Sequence, residues 1–199
     1  SGKNVCVTTS TSSGKSEIFQ VSAIEELTKH PKGKILAVYP MKALNRQQLE
    51  RWSATGYGVG KIDGDNHSIE DRRRILEENK IIVMTPDVIH TFLLGKLNDS
   101  FIDKVIRDFI KDISLIIIDE LHLYKGVFGT NSAYLFRRLN NIHRLLRRDK
   151  SFPKYITASA TLPNAKKHSS DITGVDDFVE DGEIDKSDYI IGNFYSPNP

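Results

Sequence analysis

Val5-Cys6-Val7-Thr8-Thr9-Ser10-Thr11-Ser12-Ser13-Gly14-Lys15-Ser16 is the stretch on which the fold turns. A short apolar run passes into six consecutive hydroxyl residues, then Gly-Lys-Ser, then a segment with helical spacing. That order predicts strand, anion-binding loop, helix. Small residues let backbone N–H groups close around a phosphate, and the helix behind adds the positive end of its dipole. Lys15 would reach the β- and γ-phosphates, and the Ser16 hydroxyl would face Mg²⁺. The general pattern is G-x-x-x-x-G-K-[ST], and Thr9 stands where its first glycine belongs. Read only as structure, the same stretch is a polar turn with Ser12 or Ser13 capping the helix.

Downstream, apolar runs and helical patterns alternate. Ile18, Phe19, Val21, Ile24 and Leu27 recur at helical spacing up to His30-Pro31. Ile35–Tyr39, Val59–Ile62, Ile81–Met84, Leu115–Ile118 and Tyr155–Ala158 read as strands, the uninterrupted ones as strands buried on both faces. Helices are expected at Met41–Ala54, Ile69–Asn79 with Ser68 as cap, from Thr85-Pro86-Asp87 onward, Phe101–Ile110, Asn131–Arg148, and after Leu162-Pro163 to about Ile172. Tyr124–Thr130 reads as a loop, with a short strand near Phe178-Val179 and a last strand at Tyr189–Tyr195. Strands alternating with helices give βαβ units and a mostly parallel sheet, with ligands at the C-terminal edge of the strands.

Asp119 and Glu120 follow the most apolar strand, which puts two carboxylates on that edge. In phosphoryl transfer one acid holds Mg²⁺ and a neighbour orients the attacking water; Asp119 suits the first role and Glu120 the second. A solvated loop start is the alternative for both. Ser159-Ala160-Thr161 closes the next strand with two hydroxyls that can bond to the carboxylates or to His122.

Composition bounds the rest. The chain has 199 residues, 39% apolar and 27% charged, with a net charge of +2. This supports a core and does not by itself demand nucleic acid. The single cysteine, Cys6, excludes an internal disulfide and reads as a small buried hydrophobe. It fits a reducing, cytoplasmic setting (the nucleoid in a bacterium). No run approaches the ~20 apolar residues that span a bilayer. Arginines 137, 138, 144, 147 and 148, like Arg72, Arg73 and Arg74, read as solvated helix faces rather than a nucleic-acid stripe. Both ends read as cut from something longer.

Taken in order, these motifs resemble the first RecA-like domain of a superfamily 2 helicase of the DEAD/DEAH-box group. Thr9–Ser16 resembles its motif I, Pro40-Met41-Lys42-Ala43-Leu44 with Gln47 its motif Ia, and Thr85-Pro86-Asp87 its Thr-Pro motif. Asp119-Glu120-Leu121-His122 resembles motif II, with Leu121 in place of Ala, and Ser159-Ala160-Thr161 resembles motif III. The Tyr124–Gly129 segment, Leu162-Pro163-Asn164 and Thr173-Gly174 are similar to the branch of DNA helicases that includes the MrfA type. Ser12 departs from a further glycine common in this family.

The resemblance implies a P-loop NTPase of RecA-like three-layer αβα form over residues 1–188, with residues 189–199 leading toward a second RecA-like domain. It implies ATP and Mg²⁺ as ligands. Thr11, Ser12, Ser13, Gly14, Lys15 and Ser16 would hold the nucleotide, Ser16 and Asp119 the metal, and Lys15, Asp119 and Glu120 would serve hydrolysis. His122, Ser159 and Thr161 would couple hydrolysis to domain movement. Pro40, Lys42, Gly64, Thr85 and Asp87 would track single-stranded or partly duplex DNA through its phosphates. The arginine fingers would come from the second domain and the adenine-reading segment from before Ser1. On that basis the isolated chain is expected to bind nucleotide weakly and barely hydrolyse it. An RNA helicase, a restriction-type translocase and a non-catalytic nucleic-acid-binding module remain the alternatives.

Overall fold

The structure is a computed structural model that describes residues 3–8, 14–40, 46–64, 68–97, 102–148, 151–159 and 162–180. The strands are β1 (Asn4–Thr8), β2 (Lys34–Val38), β3 (Val59–Lys61), β4 (Ile81–Met84), β5 (Ile113–Ile118), β6 (Lys154–Ser159) and β7 (Phe178–Glu180). They form one sheet in the order β3-β4-β2-β5-β6-β1-β7, and every pairing is parallel. The helices are α1 (Lys15–Lys29), α2 (Arg46–Ser53), α3 (Ile69–Glu78), α4 (Pro86–Val88), α5 (Ile102–Asp112), α6 (Gly126–Arg147) and α7 (Ala165–Thr173). α4 runs directly into a π-helical turn, Ile89–Leu94.

The period of two along each strand explains why the runs are apolar throughout. Ile35, Ala37, Leu115 and Ile117 face one side, under Phe19, Ala23 and Leu27 of α1 and Trp52 of α2. Leu36, Val38, Ile116 and Ile118 face the other, under α3, the π turn, α5, α6 and α7. Each fully buried branched side chain contributes about 1.5–3 kcal/mol, so a strand with no polar position is the expected product of a sheet covered twice.

Among the described residues the expected strands and helices are present to within a few residues, residues 41–45 of the helix expected at Met41–Ala54 lying outside them, and Ser68 caps α3 by accepting from the Asp71 N–H over 3.0 Å. Three expectations are corrected. Of the segment Tyr124–Thr130 only Tyr124 and Lys125 are loop: α6 begins at Gly126. Gly129 serves packing, for a Cβ there would lie 2.5 Å from the Tyr124 carbonyl oxygen. The Gly129→Ala variant is therefore expected to lose about 1–3 kcal/mol, because the obstacle is backbone and cannot rotate away; a denaturant titration checks this.

On α1, the buried positions are Phe19, Ala23, Glu26 and Leu27, whereas Val21 is 64% exposed and Ile18 and Ile24 also reach solvent. The apolar spacing marked two faces of the helix, and only one meets the sheet. Finally, the cap residue of α1 is Gly14, at φ +76°, with no side-chain cap, so neither Ser12 nor Ser13 occupies that place. The last strand expected at 189–195 lies outside the described residues.

Candidate functional site

The parallel order brings the chemistry to one edge. β1 is separated from β5 only by β6, and all three run parallel, so the end of β1 at Thr8 and the acids after Ile118 lie on the same edge. Gly14 takes the left-handed conformation that glycine adopts without strain, and its carbonyl accepts the N–H groups of Glu17 and Ile18, both at 3.1 Å. This starts α1 with its first N–H groups turned toward the sheet edge.

Lys15 crosses the resulting cleft. Its Nζ lies 3.6 Å from Glu120 Oε1, with the lysine side chain only 11% exposed. Among the described residues no hydrogen-bond acceptor takes that ammonium. Thr11, Ser12, Ser13 and the variant position Thr9 lie outside the described residues.

Asp119 is buried, and its backbone N–H donates to the Val38 carbonyl over 3.0 Å, which fixes the strand end. Burial pushes its carboxyl above the ordinary carboxylate range; the Glu120 N–H, donating to Oδ1 over 2.8 Å, and the Lys15 and His122 charges oppose this. Glu120 sits at φ 50°, ψ 45°, a left-handed conformation that costs a side-chain-bearing residue on the order of 1–2 kcal/mol. That turn carries the Glu120 carboxylate between Lys15 and His122, whose Nδ1 is 3.3 Å from Oε2. Ser159 ends β6 beside Thr8, and its buried hydroxyl has no partner among the described residues. Thr161 lies outside them.

A buried ammonium with no acceptor among the described residues, a hydroxyl at a helix start and a buried carboxylate with raised affinity for protons form a donor set that fits a magnesium–phosphate group. Lys15 would take phosphate oxygens; Ser16 and Asp119 would take the cation.

The other expected positions follow β2, β3 and β4, on the far half of the same edge. Pro40 follows β2, and Gly64 is exposed with open space around it. Thr85 caps α4, its hydroxyl accepting from the Val88 N–H over 3.5 Å, and Asp87 is exposed. Lys42 lies outside the described residues. Arg72 is not a simple solvated residue: it donates to the Asp63 carbonyl over 3.0 Å and lies 5.3 Å over the Phe92 ring. It thereby ties the turn at Gly64 to the helix that follows Thr85. The four arginines of α6 and Arg148 just beyond it are exposed, as expected.

Sequence reasoning also passed over Arg51. Its Nη1 donates to Ser16 Oγ over 3.0 Å. Neighbouring Trp52 is buried and donates to the Tyr39 hydroxyl over 3.1 Å. Nothing in the spacing of α2 singles out Arg51, because the contact depends on how two helices on one sheet face lie side by side.

This arrangement has known counterparts. The model of the DEAD/DEAH box helicase family matches residues 1–168. The chain belongs to that family. Among curated relatives, the ATP-dependent helicase HRQ1 of Saccharomyces cerevisiae is 33% identical over 192 residues, covering 91% of this chain and 17% of the relative. An ATP-dependent helicase of Methanocaldococcus jannaschii is 35% identical over 175 residues, covering 83% of this chain and 24% of the relative. The chain thus spans less than a quarter of the length of either. A crystal structure of the DUF1998 helicase MrfA bound to DNA and AMPPNP is similar with a TM-score of 0.76 and 28% identity, over 90% of this chain and 24% of that one. The DEAD/DEAH box helicase fold accounts for the all-parallel sheet, and this chain is a first RecA-like domain. Among the described residues no helix is long and apolar enough to cross a membrane, and no group of three or more His, Cys, Asp or Glu side chains is placed to hold a metal.

Proposed function

We propose that this chain is the ATP-binding motor domain of an ATP-dependent DNA helicase or translocase, with residues 1–188 as the domain and 189–199 leading to a second RecA-like domain. The observation that carries the reading is the Lys15–Glu120 pair at 3.6 Å, which joins the Gly-Lys-Ser turn to the acidic end of β5 across the sheet edge. Bound Mg²⁺ would neutralise charge developing on the transferred phosphoryl group. The side chains divide the remaining work. Lys15 would leave Glu120 for phosphate oxygens, Ser16 and Asp119 would hold the metal, and Glu120 would orient water and accept its proton. His122, Ser159 and Thr161 relay the change along the edge. Pro40, Lys42, Gly64, Thr85 and Asp87 would meet the phosphates of one DNA strand. DNA is favoured over RNA by the likeness to the DNA-bound MrfA structure.

The test is hydrolysis by the full-length protein with single-stranded DNA, single-stranded RNA or neither. DNA should stimulate turnover more than RNA does. The 199-residue chain alone should stay near background, since an arginine finger from another domain is worth roughly 10³–10⁵ in rate. Robust DNA-stimulated turnover by the isolated chain would sink the division of labour between two domains.

A further inference from the structure

Ser16 already has a cationic partner. Arg51 donates to its Oγ over 3.0 Å, and α2 is fastened around that contact. Gln20 Nε2 of α1 donates to the Arg51 carbonyl over 2.8 Å. Trp52, 2% exposed, is anchored on Tyr39, which lies within electrostatic reach of both Asp119 and Arg51. The guanidinium therefore sits on the hydroxyl that a divalent cation would use.

The hydroxyl has two lone pairs, but a guanidinium on one repels a divalent cation on the other. Magnesium takes its ligands at about 2.0–2.1 Å in a near-octahedral shell and keeps several waters. A guanidinium nitrogen 3.0 Å from the same Oγ would set a full positive charge against that shell. Arginine stays charged at any pH of interest and offers only donors, so it can neither neutralise itself nor join the metal's ligands.

We infer that Arg51 stands in for the metal at Ser16, that magnesium–nucleotide must expel it, and that its departure frees α2, the helix beginning just after the 40–44 segment read as a DNA contact. The inference rests on the nucleotide site proposed above. By linkage it also runs backward: DNA that shifts α2 away from Ser16 raises affinity for magnesium–nucleotide by the same factor.

Trp52 is the chain's single tryptophan, so its emission reports α2 directly. The experiment titrates the chain and its Arg51→Ala, Arg51→Lys and Lys15→Ala variants with a non-hydrolysable ATP analogue, in magnesium and in EDTA. In the unsubstituted chain, analogue with magnesium should change Trp52 emission more than analogue in EDTA. Arg51→Ala should bind the magnesium form about 2- to 10-fold tighter, the worth of one broken hydrogen bond, with no gain in EDTA. Arg51→Lys should fall between the two. Because Arg51 is exposed, Arg51→Ala should melt with the unsubstituted chain. Weaker binding by Arg51→Ala, equal in both conditions, would make Arg51 a phosphate ligand and overturn the inference. Unchanged affinity would reduce the contact to an idle surface bond, again overturning it. Lys15→Ala separates the two readings: if it loses binding while Arg51→Ala changes nothing, only the inference fails. If it binds like the unsubstituted chain, the nucleotide site itself fails.

Discussion

Lys15→Ala in the full-length protein is expected to lower DNA-stimulated ATP hydrolysis by at least about a hundredfold, the usual loss when a charged donor to the transition state is removed from an enclosed site. The reasoning starts from the chain without ligand. Lys15 is 11% exposed and held 3.6 Å from Glu120, with no hydrogen-bond acceptor among the described residues. A cation is rarely kept that far from water unless something stronger than a single carboxylate completes its coordination. Phosphate oxygens would do so. The variant should also lose nucleotide binding, because alanine leaves the α1 start with backbone dipoles alone. Phosphate release measured at saturating DNA decides the matter, and turnover equal to that of the unsubstituted protein would remove Lys15 from the mechanism.

Glu120→Gln should separate binding from chemistry. Glutamine keeps the shape of the side chain and gives up both its charge and its capacity to accept a proton. Hydrolysis is expected to fall by about 10²–10⁴-fold, the range for removing a general base. Nucleotide affinity should hold or rise, since Lys15 no longer has a carboxylate to leave. Equilibrium binding of a labelled ATP beside single-turnover hydrolysis gives both numbers from one preparation. Parallel loss of affinity and rate would place Glu120 in binding instead.

What the sequence discloses here depends on how local the cause is. β5 is legible because Leu115–Ile118 must be apolar on both faces, and that requirement is written in adjacent letters. Asp119 and Glu120 are legible for a related reason: acids directly after such a strand land on its C-terminal edge whatever surrounds them. The left-handed turn at Glu120 is not, since neither neighbour demands it and only the convergence of Lys15 and His122 on its carboxylate explains it. The start of α6 misleads because glycine has two uses. Gly126 and Gly129 suggest a loop, and Gly129 in fact makes room for the Tyr124 carbonyl of the preceding turn. On α1, the spacing of Ile18, Val21 and Ile24 is helical without saying which stripe the sheet will cover. Arg51 and Arg72 were out of reach for the same reason: their partners, Ser16 and Asp63, come from other elements.

The place of β1 in the sheet bears on the order in which the site is built. β1 has no neighbour from the first half of the chain: Val5 pairs with Ile156 on one side and Val179 on the other. Asn4 repeats the pattern, accepting from the Tyr155 N–H and donating to the Asp176 carbonyl. Synthesis therefore delivers the Gly-Lys-Ser turn long before either strand that will flank it. β2, β3, β4 and β5 can assemble among themselves meanwhile, while β1 must wait through a long loop closure. During translation the acidic wall of the cleft thus precedes its phosphate-binding wall, and a nascent chain released before β7 emerges holds the lysine without the strand that borders it.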